Sequence, residues 1–197
     1  MFFRRPPRVL FNCLLAVYML AFAGFSAVLA VSPADLAGHR ARLRLASLPE
    51  QRQDVLAVQQ QLAAARTEPG AAKTREVVLV GQIGGMPNVW PETHPQFPWY
   101  AGQASFFLVD SKIAAQFATH AKAHGGEDCA FCRQLAAQNA NAVAVVNFVD
   151  AQGKILEIDA RQLLPLKERQ TVVIRGRARL LAGTLLVVDA DGVYLPR

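Results

Sequence analysis

The residue types best suited to chemistry in this sequence cluster within thirteen positions. His120 and His124 are followed by Cys129 and Cys132, which gives an H-x3-H pair and then a C-x2-C pair. Imidazole nitrogens and thiolates are the ligands that zinc prefers in tetrahedral sites, and thiolates also suit copper(I). We therefore predict a zinc or copper site at these four residues. If all four residues bind one ion, its coordination shell is closed and the metal is structural.

The same two cysteines allow other chemistry. Outside the cytoplasm, Cys129 and Cys132 can close a disulfide that fixes the start of a helix. They can also work as a redox dithiol or pass on a metal ion, as in a thiol–disulfide or metal-transfer protein. Arg133 stands where covalent haem attachment needs a histidine. Nucleophile elbows, Walker loops, dinucleotide fingerprints and zinc-protease motifs do not occur, so we assign no catalytic residue and expect a binding domain.

Two predicted helices position these side chains. The first spans 111–124, where a spacing of about 100° per residue puts both histidines on its apolar face. Gly125 and Gly126 end it and let the chain turn back. The second helix is predicted at 129–139, and the positive end of its dipole favours thiolate at the first cysteine. His94, from a proline-rich loop, is a possible accessory ligand.

The first 31 residues form a separate leader. Arg4, Arg5 and Arg8 precede an apolar run at 9–31, which as a helix would be about 34 Å long and could cross a bilayer. The basic flank predicts that the rest of the chain lies outside the cytoplasm. We expect a membrane anchor at 9–31, or a signal peptide cleaved after Ala30. The protein is therefore predicted in the cell envelope, anchored or secreted.

The remainder divides into two parts. Residues 32–74 are rich in Ala and Gln, with one predicted helix at 49–66, and are expected to be a spacer between leader and domain. Residues 75–197 alternate between apolar, β-branched runs and turn residues, which predicts a small β-barrel with a short helix at 160–166. The predicted strands are 76–83, 104–110, 141–150, 154–159, 170–181, 184–190 and a short closing strand at 193–195.

A family resemblance supports this barrel. The segment 160–178, Ala-Arg-Gln-Leu-Leu-Pro-Leu-Lys-Glu-Arg-Gln-Thr-Val-Val-Ile-Arg-Gly-Arg-Ala, resembles the one that leads into the last strands of OB-fold proteins. With the C-x-F-C element at 129–132, residues 75–197 resemble exported bacterial OB-like domains of unknown function. The resemblance implies a mainly β fold, a five- to six-stranded OB-like barrel with an inserted helical His/Cys element. It implies no activity, because this fold supports many functions.

A second candidate surface lies on the strand at 170–181. Alternation places Arg175, Arg177 and Arg179 on one face, where they could bind a polyanion as an OB-type interaction module. The formal net charge is +6, and three of these charges belong to the leader, which argues against a nucleic-acid partner. The closing hairpin also lacks stacking aromatics before Tyr194. The membrane and an unidentified protein or small molecule are the predicted partners.

Aromatic residues are concentrated in the proline-rich loop at 86–100. Trp90, Phe97, Trp99 and Tyr100 are costly to leave in water, so we expect this loop to be ordered. The four rings are predicted to cap one end of the barrel, the alternative being that they line a ligand groove.

Overall fold

The computed structural model describes residues 32–66, 73–124 and 129–196, with His124 described by its backbone alone. Its helices and strands are, in chain order, α1 (Pro33–Leu43), β1 (Gln53–Asp54), α2 (Val55–Ala65), β2 (Thr74–Ile83), β3 (Ser105–Asp110), α3 (Ser111–His124), α4 (Ala130–Gln138), β4 (Val143–Phe148), α5 (Ala160–Leu163), β5 (Thr171–Leu181) and β6 (Leu185–Tyr194), with a 3-10 turn at Ala140–Ala142 before β4.

The predicted leader lies outside the described residues. This holds for the anchor at 9–31 and for the cleavage site after Ala30. Among the helices of the described ranges, none combines the length and the apolar character needed to cross a bilayer. The leader and the membrane attachment therefore stay predictions.

Five strands close into a mixed barrel. β2, β3 and β4 form an antiparallel meander, β4 pairs in parallel with β6, and β6 pairs antiparallel with β5. The barrel closes where β5 pairs antiparallel with β2. The two-residue strand β1 is a sixth strand that lies parallel to β2. The predicted mainly β barrel is thus confirmed, and its shape is consistent with an OB-like barrel.

Side-chain alternation sorts each strand into an inner and an outer face. In β5, Val172 and Ile174 are buried in the barrel core, whereas Arg175 and Arg177 point outward and are exposed, as the pattern predicts. The largest fully buried side chains of the barrel interior are Phe106, Phe148, Leu79, Ile83, Leu108, Leu163, Ile174 and Leu186.

A second apolar layer covers the outside of the barrel. The outer side chains of β3 and β4, including Phe107, Val109 and Val143, are buried against α3, α4 and the proline-rich loop. Phe117 of α3 and Met86 of the loop belong to the same cluster. The inserted helices are therefore fixed on the barrel wall, and their ends occupy defined positions.

The predicted helical spacer is part of the folded domain. Residues 32–197 form one compact unit, and Leu43 of α1 and Val55 of α2 are fully buried in the barrel core. The Nε of Arg40 also donates to the carbonyl of Leu163, at 2.8 Å, and joins α1 to α5. The boundary predicted at residue 74 therefore does not separate a spacer from the core, because these helices supply the apolar side chains that cover one region of the barrel interior.

Three predicted boundaries are wrong. The helix predicted at 49–66 begins only after β1 has paired with β2. The strand predicted at 154–159 is a loop with a single bridge at Ile155. The strands predicted at 184–190 and 193–195 are one strand, β6, because the predicted turn is a bulge in β6, where Asp191 is an extra residue, and β5 and β6 stay paired on both sides of it.

One buried carboxyl group joins the barrel to two helices. Asp110 is the last residue of β3 and is 1% exposed. Its Oδ2 accepts the backbone N–H of Leu56 at 3.2 Å, and its Oδ1 accepts that of Lys112 at 3.0 Å. These N–H groups lie in the first turns of α2 and α3, where the helix offers no internal acceptor. Lys112 also forms an ion pair with Asp54, the residue before α2, at 2.9 Å.

We predict that Asp110→Ala lowers the free energy of unfolding by about 2–4 kcal/mol, because two helix-start N–H groups lose an acceptor that is itself buried. Asp150→Ala is a matched control, since Asp150 also accepts two backbone N–H groups, from Gln152 and Lys154, in an exposed turn. Water can replace that acceptor, so the control should cost about 1 kcal/mol or less. Urea denaturation measures both, and equal losses would contradict the prediction.

Candidate functional site

The C-x2-C pair lies at the start of α4. Cys129 is the N-cap residue, with extended backbone angles (φ −80°, ψ 153°), and Cys132 lies in the first turn. The Sγ of Cys129 accepts a hydrogen bond from the backbone N–H of Cys132 at 3.1 Å. A thiol therefore takes the place that Ser, Thr, Asp or Asn usually fills at a helix start. The predicted helix over 129–139 is confirmed to within one residue at each end.

The two thiols differ in exposure. Cys132 is 1% exposed, while Cys129 is half-buried. Neither forms a disulfide in this structure. One thiol is therefore accessible to a reactant and the other is protected behind it, and the disulfide between them stays a prediction.

The surroundings of Cys129 favour its thiolate. The hydrogen bond from the Cys132 thiol is the largest effect that holds the pKa of Cys129 below its ordinary value. The backbone N–H groups of Cys132 and Phe131 and the charge of Arg133 lower this pKa further, whereas desolvation raises it. These donors cluster because the N-terminal N–H groups of a helix point toward its cap. Cys129 is thus the thiol suited to act as a nucleophile or a ligand.

The histidine pair is only partly described. His120 lies on α3, is half-buried, and meets the ring of Phe131 edge-on with the ring centroids 5.6 Å apart. This contact brings the last turns of α3 to the start of α4. The side chain of His124 lies outside the described residues, as do Gly125 and Gly126.

No metal cluster is formed by the side chains that the structure does describe. Within those ranges, no three His, Cys, Asp or Glu residues come close enough together to bind one ion. The four-residue site at His120, His124, Cys129 and Cys132 includes an undescribed side chain. It therefore stays a prediction, as does zinc or copper as its metal.

His94 lies in a different place from the cysteines. Its ring is 5.0 Å from those of Tyr100 and Phe107, in a pocket that reaches Gln138 at the end of α4. At about 1.5 Å per residue, α4 separates its two ends by roughly 13 Å. The structure therefore does not bring His94 to Cys129 as an accessory ligand.

The aromatic residues of the loop divide between two locations. Trp99 is buried, joins the barrel core and lies 6.1 Å from Phe106, centroid to centroid. The other three, Trp90, Phe97 and Tyr100, instead pack around the ring of Phe107 on the outer face of β3. Of the four rings, Trp99 thus has the capping position, and the others belong to the outer layer.

The three arginines of β5 are compensated by carboxylates on neighbouring strands. The pairs are Arg175 with Asp191 (2.7 Å), Arg177 with Glu76 (3.1 Å) and Arg179 with Asp189. The pairing follows from strand register, since Glu76 lies directly opposite Arg177. A polyanion would have to displace these carboxylates, so the structure adds nothing in favour of the predicted anion site.

Phe131 is a site residue that the pattern of ligand types did not reveal. It lies between the two cysteines, is 55% exposed and contacts His120. An apolar ring in the first turn of a short helix was the available signal. Its exposure could not be predicted, because it depends on how α4 is turned against the barrel.

We predict that alkylation of Cys129 by iodoacetamide has a lower pH midpoint than alkylation of an ordinary cysteine thiol, so that more thiolate is present at pH 7. Cys132→Ala should move the midpoint upward, because the thiol donor is lost. Cys132→Ser keeps a donor and should move it less. A Cys13→Ser background leaves no thiol outside the pair, and mass spectrometry reads the rate. An unchanged midpoint in Cys132→Ala would contradict the assignment.

Comparisons with known proteins give no family for this chain. Neither a protein-family model, nor a curated protein, nor a solved structure matches it. Its function is therefore argued from the geometry of the described residues.

Proposed function

We propose that this protein exchanges disulfides with partner proteins through Cys129 and Cys132. The observation that carries the proposal is the asymmetry of the pair. Cys129 is accessible and has a lowered pKa, and buried Cys132 donates to it from the first turn of the helix. An accessible thiolate beside a protected thiol is the arrangement that thiol–disulfide exchange requires.

The exchange has two steps. The Cys129 thiolate attacks one sulfur of a partner disulfide, forming a mixed disulfide and releasing one partner thiolate. The Cys132 thiol then loses its proton and attacks the Cys129 sulfur, which closes the Cys129–Cys132 disulfide and releases the second partner thiolate. Two electrons pass to the partner disulfide. Cys129 and Cys132 lose one proton each, and the two partner thiolates take up one proton each. An external dithiol then reduces the Cys129–Cys132 disulfide before the next exchange. In the reverse direction the Cys129–Cys132 disulfide oxidises a partner dithiol, and an external disulfide re-forms it.

The remaining features fit this function as parts of the proposal. An OB-like barrel supplies a rigid wall against which Ala136 of α4 is fully buried, so the helix start is held in place. The leader, as an anchor at 9–31 or a signal peptide cleaved after Ala30, would place the pair in the envelope outside the cytoplasm. Protein disulfides persist there, so substrates for exchange are present.

Metal binding is a second candidate, and the contact between His120 and Phe131 favours it. That contact brings the end of α3, which carries both predicted histidine ligands, to the helix start that carries the cysteines. A zinc or copper(I) ion held by His120, His124, Cys129 and Cys132 would require both cysteines as thiolates. The lowered pKa of Cys129 suits this function too, so the two candidates have to be separated by experiment.

We predict that the protein with Cys13→Ser, incubated with glutathione disulfide, forms the Cys129–Cys132 disulfide and releases two glutathiones. Cys132→Ser should stop at one glutathione on Cys129, because the resolving thiol is missing. Cys129→Ser should react at least tenfold more slowly, because Cys132 is buried. Intact-mass spectrometry follows each species. Equal rates in the two variants would contradict disulfide exchange.

Metal content measured on the same preparations separates the second candidate. The metal site would be supported in place of exchange by three results together. The protein would hold one equivalent of zinc or copper per chain, His120→Ala and His124→Ala would each lose it, and the bound metal would protect both thiols from glutathione disulfide. Metal-free protein with two reactive thiols would support exchange.

A further inference from the structure

We propose that a pocket at the far end of α4 binds a neutral sugar ring. The pocket has a volume of about 500 Å³, which lies within the range of small-molecule sites. It opens between the outer face of β3, the proline-rich loop and the turn that follows α4. This site is separate from Cys129 and Cys132, which lie at the opposite end of the helix.

Aromatic rings form the floor of the pocket. Phe107 of β3 is 2% exposed, and Trp90 and Tyr100 stack against it with centroid distances of 5.4 and 5.0 Å. His94 meets Phe107 edge-on at 5.0 Å. Because Trp90, His94 and Tyr100 are only half-buried, part of each ring still faces the pocket. The floor is thus an extended aromatic surface, fixed from below.

The loop that presents these rings is held by its own hydrogen bonds. The side chain of Asn88 accepts from the backbone N–H of Trp90 at 2.8 Å and donates to the carbonyl of His94 at 2.9 Å. The N–H of His94 also donates to the carbonyl of Trp90 at 2.7 Å. The rings are therefore arranged before any ligand arrives, which lowers the entropic cost of binding.

Polar side chains surround the floor and have donors and acceptors to offer. Gln138 and Asn141 lie on the rim and are exposed. Neither these two side chains nor the Tyr100 hydroxyl forms a hydrogen bond to another described residue. Burial raises the pKa of Tyr100, so its hydroxyl keeps its proton and remains a donor. A ligand can therefore bind these groups by displacing water, without breaking a hydrogen bond to another described residue.

The lining selects against charged ligands. None of the residues that line the pocket in the described part of the chain is Asp, Glu, Lys or Arg. A phosphate or a nucleic acid needs cationic partners, and an ammonium ion is best held by a carboxylate as well. The ligand class that fits is therefore neutral, with one flat apolar face and several hydroxyl groups.

A sugar ring has both features. Its axial C–H bonds carry a small positive charge and pack against the negative face of Trp90 or Tyr100. Its hydroxyl groups project sideways from the ring, toward the amides of Gln138 and Asn141. A sugar therefore contacts both the floor and the rim, whereas a purely apolar ligand would leave the polar groups of the rim without a partner.

The test uses four neutral disaccharides, cellobiose, maltose, lactose and diacetylchitobiose, added to the purified full-length protein. At least one sugar should change the NMR or fluorescence signal of Trp90 until the change saturates with concentration. The signal is measured in a Trp99→Phe background, in which Trp90 is the one remaining tryptophan. Gln138→Ala and Asn141→Ala should each weaken binding about fivefold, because each removes roughly one hydrogen bond. Gln134→Ala is the matched control, since Gln134 is exposed on the same helix but does not line the pocket, and it should bind like the parent.

Three results would overturn the proposal: no binding of any of the four sugars, equal affinity in Gln138→Ala and Gln134→Ala, or tighter binding of adenosine monophosphate than of every sugar. Cys129→Ser should bind the sugar unchanged, because its thiol is about 13 Å away along α4. Failure at the pocket and failure of disulfide exchange are therefore observed separately.

Discussion

The structure depends on the hydrogen bonds that the buried side chain of Asp110 makes at the end of β3. One carboxyl group accepts N–H groups from the first turns of α2 and α3, so three elements end or begin at a single point. α2 covers the barrel interior with Val55, and α3 carries His120 toward α4. Without this acceptor, an N–H group at the start of each helix would lose its partner in a partly buried place, which is costly. The position of the candidate site therefore depends on Asp110 of β3, a strand that contributes no residue to the site.

The second apolar layer connects this frame to the site. A barrel of this kind needs only its inner side chains for a core, yet Phe107 and Val143 are also buried, on the outside. They are covered because α3, α4 and the proline-rich loop lie against the wall. The burial of Ala136 and Cys132 fixes one face of α4, which leaves Cys129 and Phe131 toward solvent. Protection of one thiol and exposure of the other thus follow from a single packing contact.

The sequence pattern within short segments predicted those parts of the fold that depend on neighbouring residues alone. The alternation in β5 and the apolar stripe of α3 are properties of short windows. The alternation was found, and so was the stripe as far as Ile113, Phe117 and half-buried His120. What failed depended on distant partners. α1 was not predicted although Ser32 and Pro33 form a capped start, because its own apolar stripe is weak and its burial comes from the barrel. The position of His94 depends on the path of the loop, and the carboxylate partners of the β5 arginines depend on strand register. Neither can be read from the spacing of residues in the sequence.

Helix α4 gives its two ends different chemistry. At the start, N–H groups that have no acceptor within the helix and the positive end of the helix dipole stabilise negative charge, and the half-buried thiol of Cys129 lies there. At the other end the last carbonyls point outward and disfavour an anion. The carbonyl of Leu135 accepts both the backbone N–H and the side-chain amide of Asn139, and the adjacent pocket contains no carboxylate or cation among its described lining residues. The helix dipole favours an anionic nucleophile at the start of α4 and disfavours an anionic ligand at its end, so a thiolate at one site and a neutral ligand at the other agree with one electrostatic arrangement.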